Sequence, residues 1–136
     1  MPLVELDVLM AFLDSSDPGH EEASRVVELA ASGKADVLLS PACLIEISLL
    51  YRTLGMDAEL ESDLRLLLSI FRGRVGPLGP VEALRAARIR REHGLTFFDS
   101  FHAASALSLP DQSIVSFDRA YDRVAGLRRI DPADFA

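Results

Sequence analysis

Leu95-Thr96-Phe97-Phe98-Asp99-Ser100-Phe101-His102-Ala103-Ala104-Ser105-Ala106-Leu107 begins as an apolar run with one aspartate in its middle and becomes a small-residue helix. Phe98, Phe101, Ala104 or Ser105, and Leu107 or Ser108 recur at helical spacing, which predicts one buried face. Ala103, Ala104, Ser105 and Ala106 are small enough to let that helix lie close against a sheet. Asp99 has two readings. As an N-cap its carboxylate accepts backbone N–H bonds, the ordinary use of Asp at a helix start. As a functional group it points into the cleft where helix N-termini and strand ends meet in α/β proteins. The rest of the chain decides the balance.

Working outward, strands and helices alternate. Leu3-Val4-Glu5-Leu6-Asp7 reads as a first strand with Asp7 at its end, followed by a buried helix from Val8. Asp17-Pro18 has the form of an N-cap with Pro at N1, and the helix it opens places Ala23, Val26, Val27 and Ala30 on one face before Gly33. Ala35 to Leu39 is a second strand, and Ser40-Pro41 opens a helix through Leu54. A helix from Asp57 carries Leu60, Leu64, Leu67 and Leu68 inward. Val75 to Leu78 is at most a short third strand, and its proline places it at an edge. Val81 to His93 is a helix with Leu84, Ala87 and Ile89 as its apolar positions. After the opening stretch, whose helix starts near Asp99, come a fourth strand (Ser113 to Phe117), a short helix (Arg119 to Ala125) and a possible fifth strand (Leu127 to Ile130). This alternation predicts an α/β fold with a parallel sheet covered on both faces.

Composition bounds the function. The 136 residues suit one domain, and 49% hydrophobic content suits a full core. No apolar run approaches the ~20 residues of a membrane-spanning helix. The N-terminus lacks the basic and apolar regions of a signal peptide. Cys43 is the only cysteine, so neither an internal disulfide nor a zinc cluster is expected. A soluble cytoplasmic protein is the expectation. The net charge of −7 is uneven: residues 1–71 carry 4 basic and 13 acidic side chains, residues 72–136 carry 10 and 8. An acidic chain is a poor nucleic-acid binder unless its carboxylates hold divalent cations, which repay their charge. The positive charge is almost all arginine, the side chain suited to bidentate phosphate contact.

Parallel α/β sheets gather functional groups at the carboxyl ends of their strands. Asp7 ends the first strand, Glu46 sits inside the helix after the second, Asp99 opens the small-residue helix and Asp118 directly follows the fourth strand. Each stands in an otherwise apolar segment. Glu46 lies amid Cys43-Leu44-Ile45 and Ile47-Ser48-Leu49-Leu50, so it is either paired and buried or on the exposed edge of an amphipathic helix. Asp118, after a strand and before a helix, is also a ready cap. Several carboxylates at one sheet edge repel one another without a cation. Mg²⁺ or Mn²⁺, which favour oxygen ligands, relieves that repulsion.

The order Asp7 … Glu46 … Asp99-Ser-Phe-His-Ala-Ala-Ser-Ala … Ser116-Phe117-Asp118-Arg119 resembles the PIN domain, the nuclease domain of VapC-type toxins. The resemblance covers essentially residues 1–136. It implies a three-layer α/β/α sandwich around a mainly parallel sheet of 4–5 strands, an acidic pocket, and a Mg²⁺- or Mn²⁺-dependent ribonuclease. By position Asp7, Glu46, Asp99 and Asp118 match the family's acidic residues, and Ser116 its Ser/Thr. The first motif departs from the family pattern and allows two registers. Either Asp7 is the metal-site residue, or Glu5 takes that role and Asp7 replaces an Asn. Asp7, nearer the expected strand end, is favoured; Asp122 is a secondary candidate. For a toxin the resemblance further implies an antitoxin whose tail fills the pocket, and a homodimer, with the apolar helices at 40–72 as its interface.

Other constellations fit less well. The only lysine is Lys34, so the late-strand lysine of a receiver domain is missing, and there is no Walker-type loop. Asp99-x-x-His102 sets two potential ligands one turn apart, although a packed helix residue is the plainer reading of His102. Arg85, Arg88 and Arg90 or Arg91 form a basic helix face, ordinarily solvated. Arg119 and Arg123, nearer the pocket, are the candidate RNA contacts. The alternatives to a toxin are a PIN nuclease of RNA processing or quality control, and a non-catalytic module that binds RNA or protein.

Overall fold

The computed structural model describes residues 1–135. In chain order the elements are β1 (Leu3–Val4), α1 (Leu6–Leu13), α2 (His20–Ala31), β2 (Leu38–Leu39), α3 (Ala42–Thr53), α4 (Asp57–Ile70), α5 (Pro80–His93), α6 (Phe97–Leu107), β3 (Ser113–Val115) and β4 (Arg128–Ile130). Short 3₁₀ turns cover Arg119–Arg123 and Pro132–Asp134. All sheet pairings are parallel, in the order β2-β1-β3-β4.

Adjacent strand residues point to opposite faces, and that period divides the core in two. Val4, Leu39 and Val115 face one side, where they meet Val8 and Leu9 of α1, Val26 of α2, Ile47 of α3 and Leu67 of α4. Leu3, Leu38 and Ile114 face the other and pack on Ala86 and Ile89 of α5 and Ala103, Ala104 and Ala106 of α6. β1, β2 and β3 are apolar on both faces because helices cover both. The result is the expected three-layer α/β/α sandwich with a four-stranded parallel sheet. No helix among the described residues is long and apolar enough to cross a membrane.

Several local expectations are corrected. β1 ends at Val4, so Asp7 is not a strand end: Glu5 caps α1, its Oε1 accepting from Asp7 N at 3.2 Å, and Asp7 stands in the first helical turn. The stretch from Val75 contributes one bridge to Leu39 and no strand, and Pro77 supplies no donor to extend it. Asp17 closes a turn onto Gly19 N at 2.8 Å, and α2 starts only at His20. The helix expected at Arg119–Ala125 is the 3₁₀ turn. α6 starts at Phe97, so Asp99 lies inside its first turn and does not cap it. On α4, Leu67 is inward but Leu68 is 37% exposed.

α5 shows why hydropathy misled. Leu84 is 76% exposed and Ala87 is exposed, while Glu82, Ala86 and Ile89 face inward. Glu82 tolerates burial because both carboxylate oxygens are occupied: Gly79 N donates to Oε1 at 2.7 Å and Ser108 Oγ to Oε2 at 2.6 Å. Two charge-assisted hydrogen bonds offset its desolvation and set the rotation of the helix. Ile114 stands at the other extreme, with no exposure in a central strand. Ile114→Ala removes three buried carbons and costs about 2–5 kcal/mol. Urea unfolding measures this, and a loss under ~1 kcal/mol would contradict the packing described here.

Candidate metal centre

Glu5, Asp7, Glu46 and Asp99 come together just beyond the carboxyl ends of β1 and β2, and their order in depth differs from the sequence reading. Glu5 is the deepest, 5% exposed, between the end of β1 and the start of α1. Its backbone N donates to Val115 O at 3.2 Å, which fixes it beside β3. Asp7, two residues on, reaches across to the chain after β3. Its Oδ2 accepts from Ser116 Oγ at 2.8 Å and from Phe117 N at 2.9 Å. Its Oδ1 is buried with no hydrogen-bond partner. Ser116, fully buried, is also 3.2 Å from Glu5 Oε2, so one hydroxyl serves both carboxylates of the first motif. Both registers left open by the sequence thus converge on one pocket.

Glu46 enters from α3 and Asp99 from α6. Glu46 Oε1 is 2.8 Å from His102 Nε2, which is also 3.6 Å from Glu5 Oε1. Asp99 Oδ1 accepts a 3.2 Å hydrogen bond from the hydroxyl of Tyr121, a residue with no exposure. Asp118 lies at the rim. It is exposed, and its Oδ1 caps the 3₁₀ turn by accepting from Ala120 N at 2.9 Å. Asp122 faces away from the cluster, in an ion pair with Arg129 Nε at 3.0 Å. Arg119 and Arg123 are exposed on the same turn. His102, Tyr121 and the central place of Glu5 are what sequence reasoning undervalued. The Asp99-x-x-His102 spacing carried the signal for His102. Tyr121 had only the general rule that a buried tyrosine hydroxyl finds a partner.

Electrostatics follow from this crowding. Burial, and then the charges of Asp7, Asp99 and Glu46, push the Glu5 carboxyl well above its ordinary value. Asp7 is also raised by burial, though its contact with Glu5 and its bonds from Ser116 and Phe117 N oppose the rise. The Tyr121 phenol is raised by burial and by the Glu5 and Asp99 charges, so it remains a donor to Asp99. A fold that keeps these acids together lacks positive charge at their centre. The carboxylate oxygens supply the fit: those of Glu5 and Glu46 lie within 4.8 Å of each other and of the His102 imidazole, and one buried oxygen of Asp7 is unpartnered. Such a set suits a Mg²⁺- or Mn²⁺-like divalent cation.

The PIN-domain family profile matches residues 4–127, a span that contains every one of these groups. The chain belongs to the PIN-domain family. Comparison with curated proteins gives no match. Among solved structures, FitAcB from Neisseria gonorrhoeae contains a chain similar to this one at 23% identity, with a TM-score of 0.72 over 99% of this chain and 100% of that one. The structure of FitAB bound to an IR36 DNA fragment contains another, at 21% identity and TM-score 0.72, over 100% and 98%. At these identities the likeness establishes the PIN fold. PIN domains are typically nucleases, and those nucleases generally depend on a divalent metal.

The metal-free PIN domain should carry a stability cost at its centre. Glu5 binds its proton more tightly folded than unfolded. Its favourable contribution is complete below the ordinary glutamate value of 4.5 and is lost as pH rises through the higher folded value. Glu5→Gln therefore raises Tm in EDTA at pH 7 by a few degrees and changes it little at pH 4. A variant less stable than wild type at pH 7 would contradict this electrostatic account.

Proposed function

We propose that this PIN-domain protein is a Mg²⁺- or Mn²⁺-dependent endoribonuclease and the toxin of a VapBC-type toxin–antitoxin pair, acting in the cytoplasm. The observation that carries the reading is the convergence of Glu46, Asp99 and Asp7 on a buried Glu5. Structural carboxylates are distributed over surfaces or paired with cations. Here four of them gather at one sheet edge, where α/β proteins place their chemistry. Glu5, Glu46 and Asp99 would hold the ion, with Asp7 beside them and Asp118 at the rim. When bound, the ion supplies Lewis acidity at the phosphodiester and neutralises charge that develops there.

The protein's own groups do the positioning. Ser116 orients Asp7 and Glu5 together, and Tyr121 holds Asp99. Arg119 and Arg123, exposed beside Asp118, supply cations for the RNA backbone at the mouth of an otherwise negative pocket. The same electrostatics fit an antitoxin segment that places a basic residue in the pocket and blocks it.

Incubation of structured RNAs with Mn²⁺ or Mg²⁺ should give endonucleolytic cleavage. EDTA should abolish it, and Asp99→Asn should reduce it more than ~100-fold, beyond the range for outer groups at a metal site. Cleavage that survives both would contradict the carboxylate–metal mechanism. A wild type that binds Mn²⁺ but cleaves no RNA would favour the non-catalytic PIN module.

Oligomerisation belongs to the same proposal. α3 and α4 expose Ile45 (60%), Leu49 (54%) and Leu66 (43%), and Leu54 (57%) follows α3. This is more apolar surface than isolated leucines leave, and it suits a second copy of the chain. Sedimentation should give twice the 14.9 kDa chain mass, whereas a monomer at micromolar concentration would remove the homodimer from the account.

A further inference from the structure

His102 has no exposure, yet it joins three elements around the cluster. It lies one turn beyond Asp99 on α6. Its Nδ1 is 2.5 Å from Oγ of Ser40, the fully buried residue that follows β2. Its Nε2 is 2.8 Å from Oε1 of Glu46 on α3. A neutral imidazole has one donor nitrogen and one acceptor. A carboxylate oxygen at hydrogen-bond distance accepts, so Nε2 carries the hydrogen. Nδ1 is then the acceptor, and Ser40 Oγ donates to it. The Glu46 carboxylate thereby fixes the tautomer, and Ser40 anchors the far side of the ring.

We propose that Ser40 and His102 form a positioning pair for Glu46, fixing one carboxylate oxygen so that the other faces the cation. This rests on the metal-dependent reading above and extends it to two residues outside the acidic set. Glu46 is a long, rotamer-rich side chain with 26% exposure. Among the described residues, the His102 N–H makes its only hydrogen bond. Without that bond the carboxylate samples several rotamers, and the cation must order it on binding. Hydrogen bonds that orient a metal ligand act in this way in many sites. His102 itself is not a ligand on this account, because Nε2 is committed as a donor to Glu46.

The test is Mn²⁺ affinity, measured by titration calorimetry on the full chain for wild type, Ser40→Ala, His102→Gln and His102→Leu. Leucine keeps bulk without a donor, whereas the glutamine amide N–H stands close to where Nε2 stood. His102→Leu should weaken Mn²⁺ binding by about 10–100-fold, with His102→Gln recovering most of the loss and Ser40→Ala falling between them. Equal affinity in wild type and His102→Leu, or no recovery in His102→Gln, would overturn the proposal. If His102→Leu fails to fold, unchanged affinity in Ser40→Ala overturns it alone. Pulsed EPR of the Mn²⁺-loaded wild type should show no directly bound ¹⁴N, and a coordinated imidazole nitrogen would make His102 a ligand and refute the positioning role. A wild type that binds no Mn²⁺ defeats the nuclease reading and this inference with it. A wild type that binds, with variants that bind equally, defeats this inference only.

Discussion

One constraint governs the rest of this structure: a glutamate is buried where a sheet ends and a helix begins, with other carboxylates around it. Glu5 is 5% exposed and its carboxyl is raised by burial and by three acidic neighbours. An unpaired charge in such a place is costly, and proteins keep one only where it is neutralised, paired or used. The surrounding architecture keeps Glu5 where it is. Its N–H is tied to β3, its carboxylate caps α1, and Ser116 links it to Asp7.

The fold delivers the remaining groups. Three parallel strands in the order β2-β1-β3 place the segments after each of them at one edge. Ser40 follows β2, Glu5 follows β1 and Ser116 follows β3. α6 then lies close on the sheet through Ala103, Ala104 and Ala106, all with no exposure, and so brings Asp99 and His102 to that edge. Larger side chains at those alanines would lift α6 and separate Asp99 from Tyr121. The small-residue stripe and the acidic cluster are therefore one design seen at two levels.

The fold class was legible because it rests on local patterns. Val/Leu/Ile runs alternating with amphipathic segments leave few options beyond a covered parallel sheet. The family was legible because four weak motifs stood in order, and no one of them sufficed. The details that escaped the sequence depend on contacts distant along the chain. Glu82 reads as a solvated residue until Gly79 and Ser108 are seen to satisfy it, and α5 turns with it. Asp7 looked like the strand's last residue because Leu6 continues the apolar run. The helix begins sooner, since the Glu5 side chain caps it. His102 read as packing because its partners, Ser40 and Glu46, are 62 and 56 residues away. Asp118 kept the capping role that its position allowed, at the rim of the pocket.

The central claim is that this cluster exists to hold a divalent cation. Anomalous scattering from crystals grown with Mn²⁺ tests it most directly. The account predicts one dominant peak bounded by the carboxylates of Glu5, Glu46 and Asp99, absent from crystals of Glu5→Gln. A well-ordered pocket with no peak, or a dominant peak elsewhere on the molecule, would contradict it.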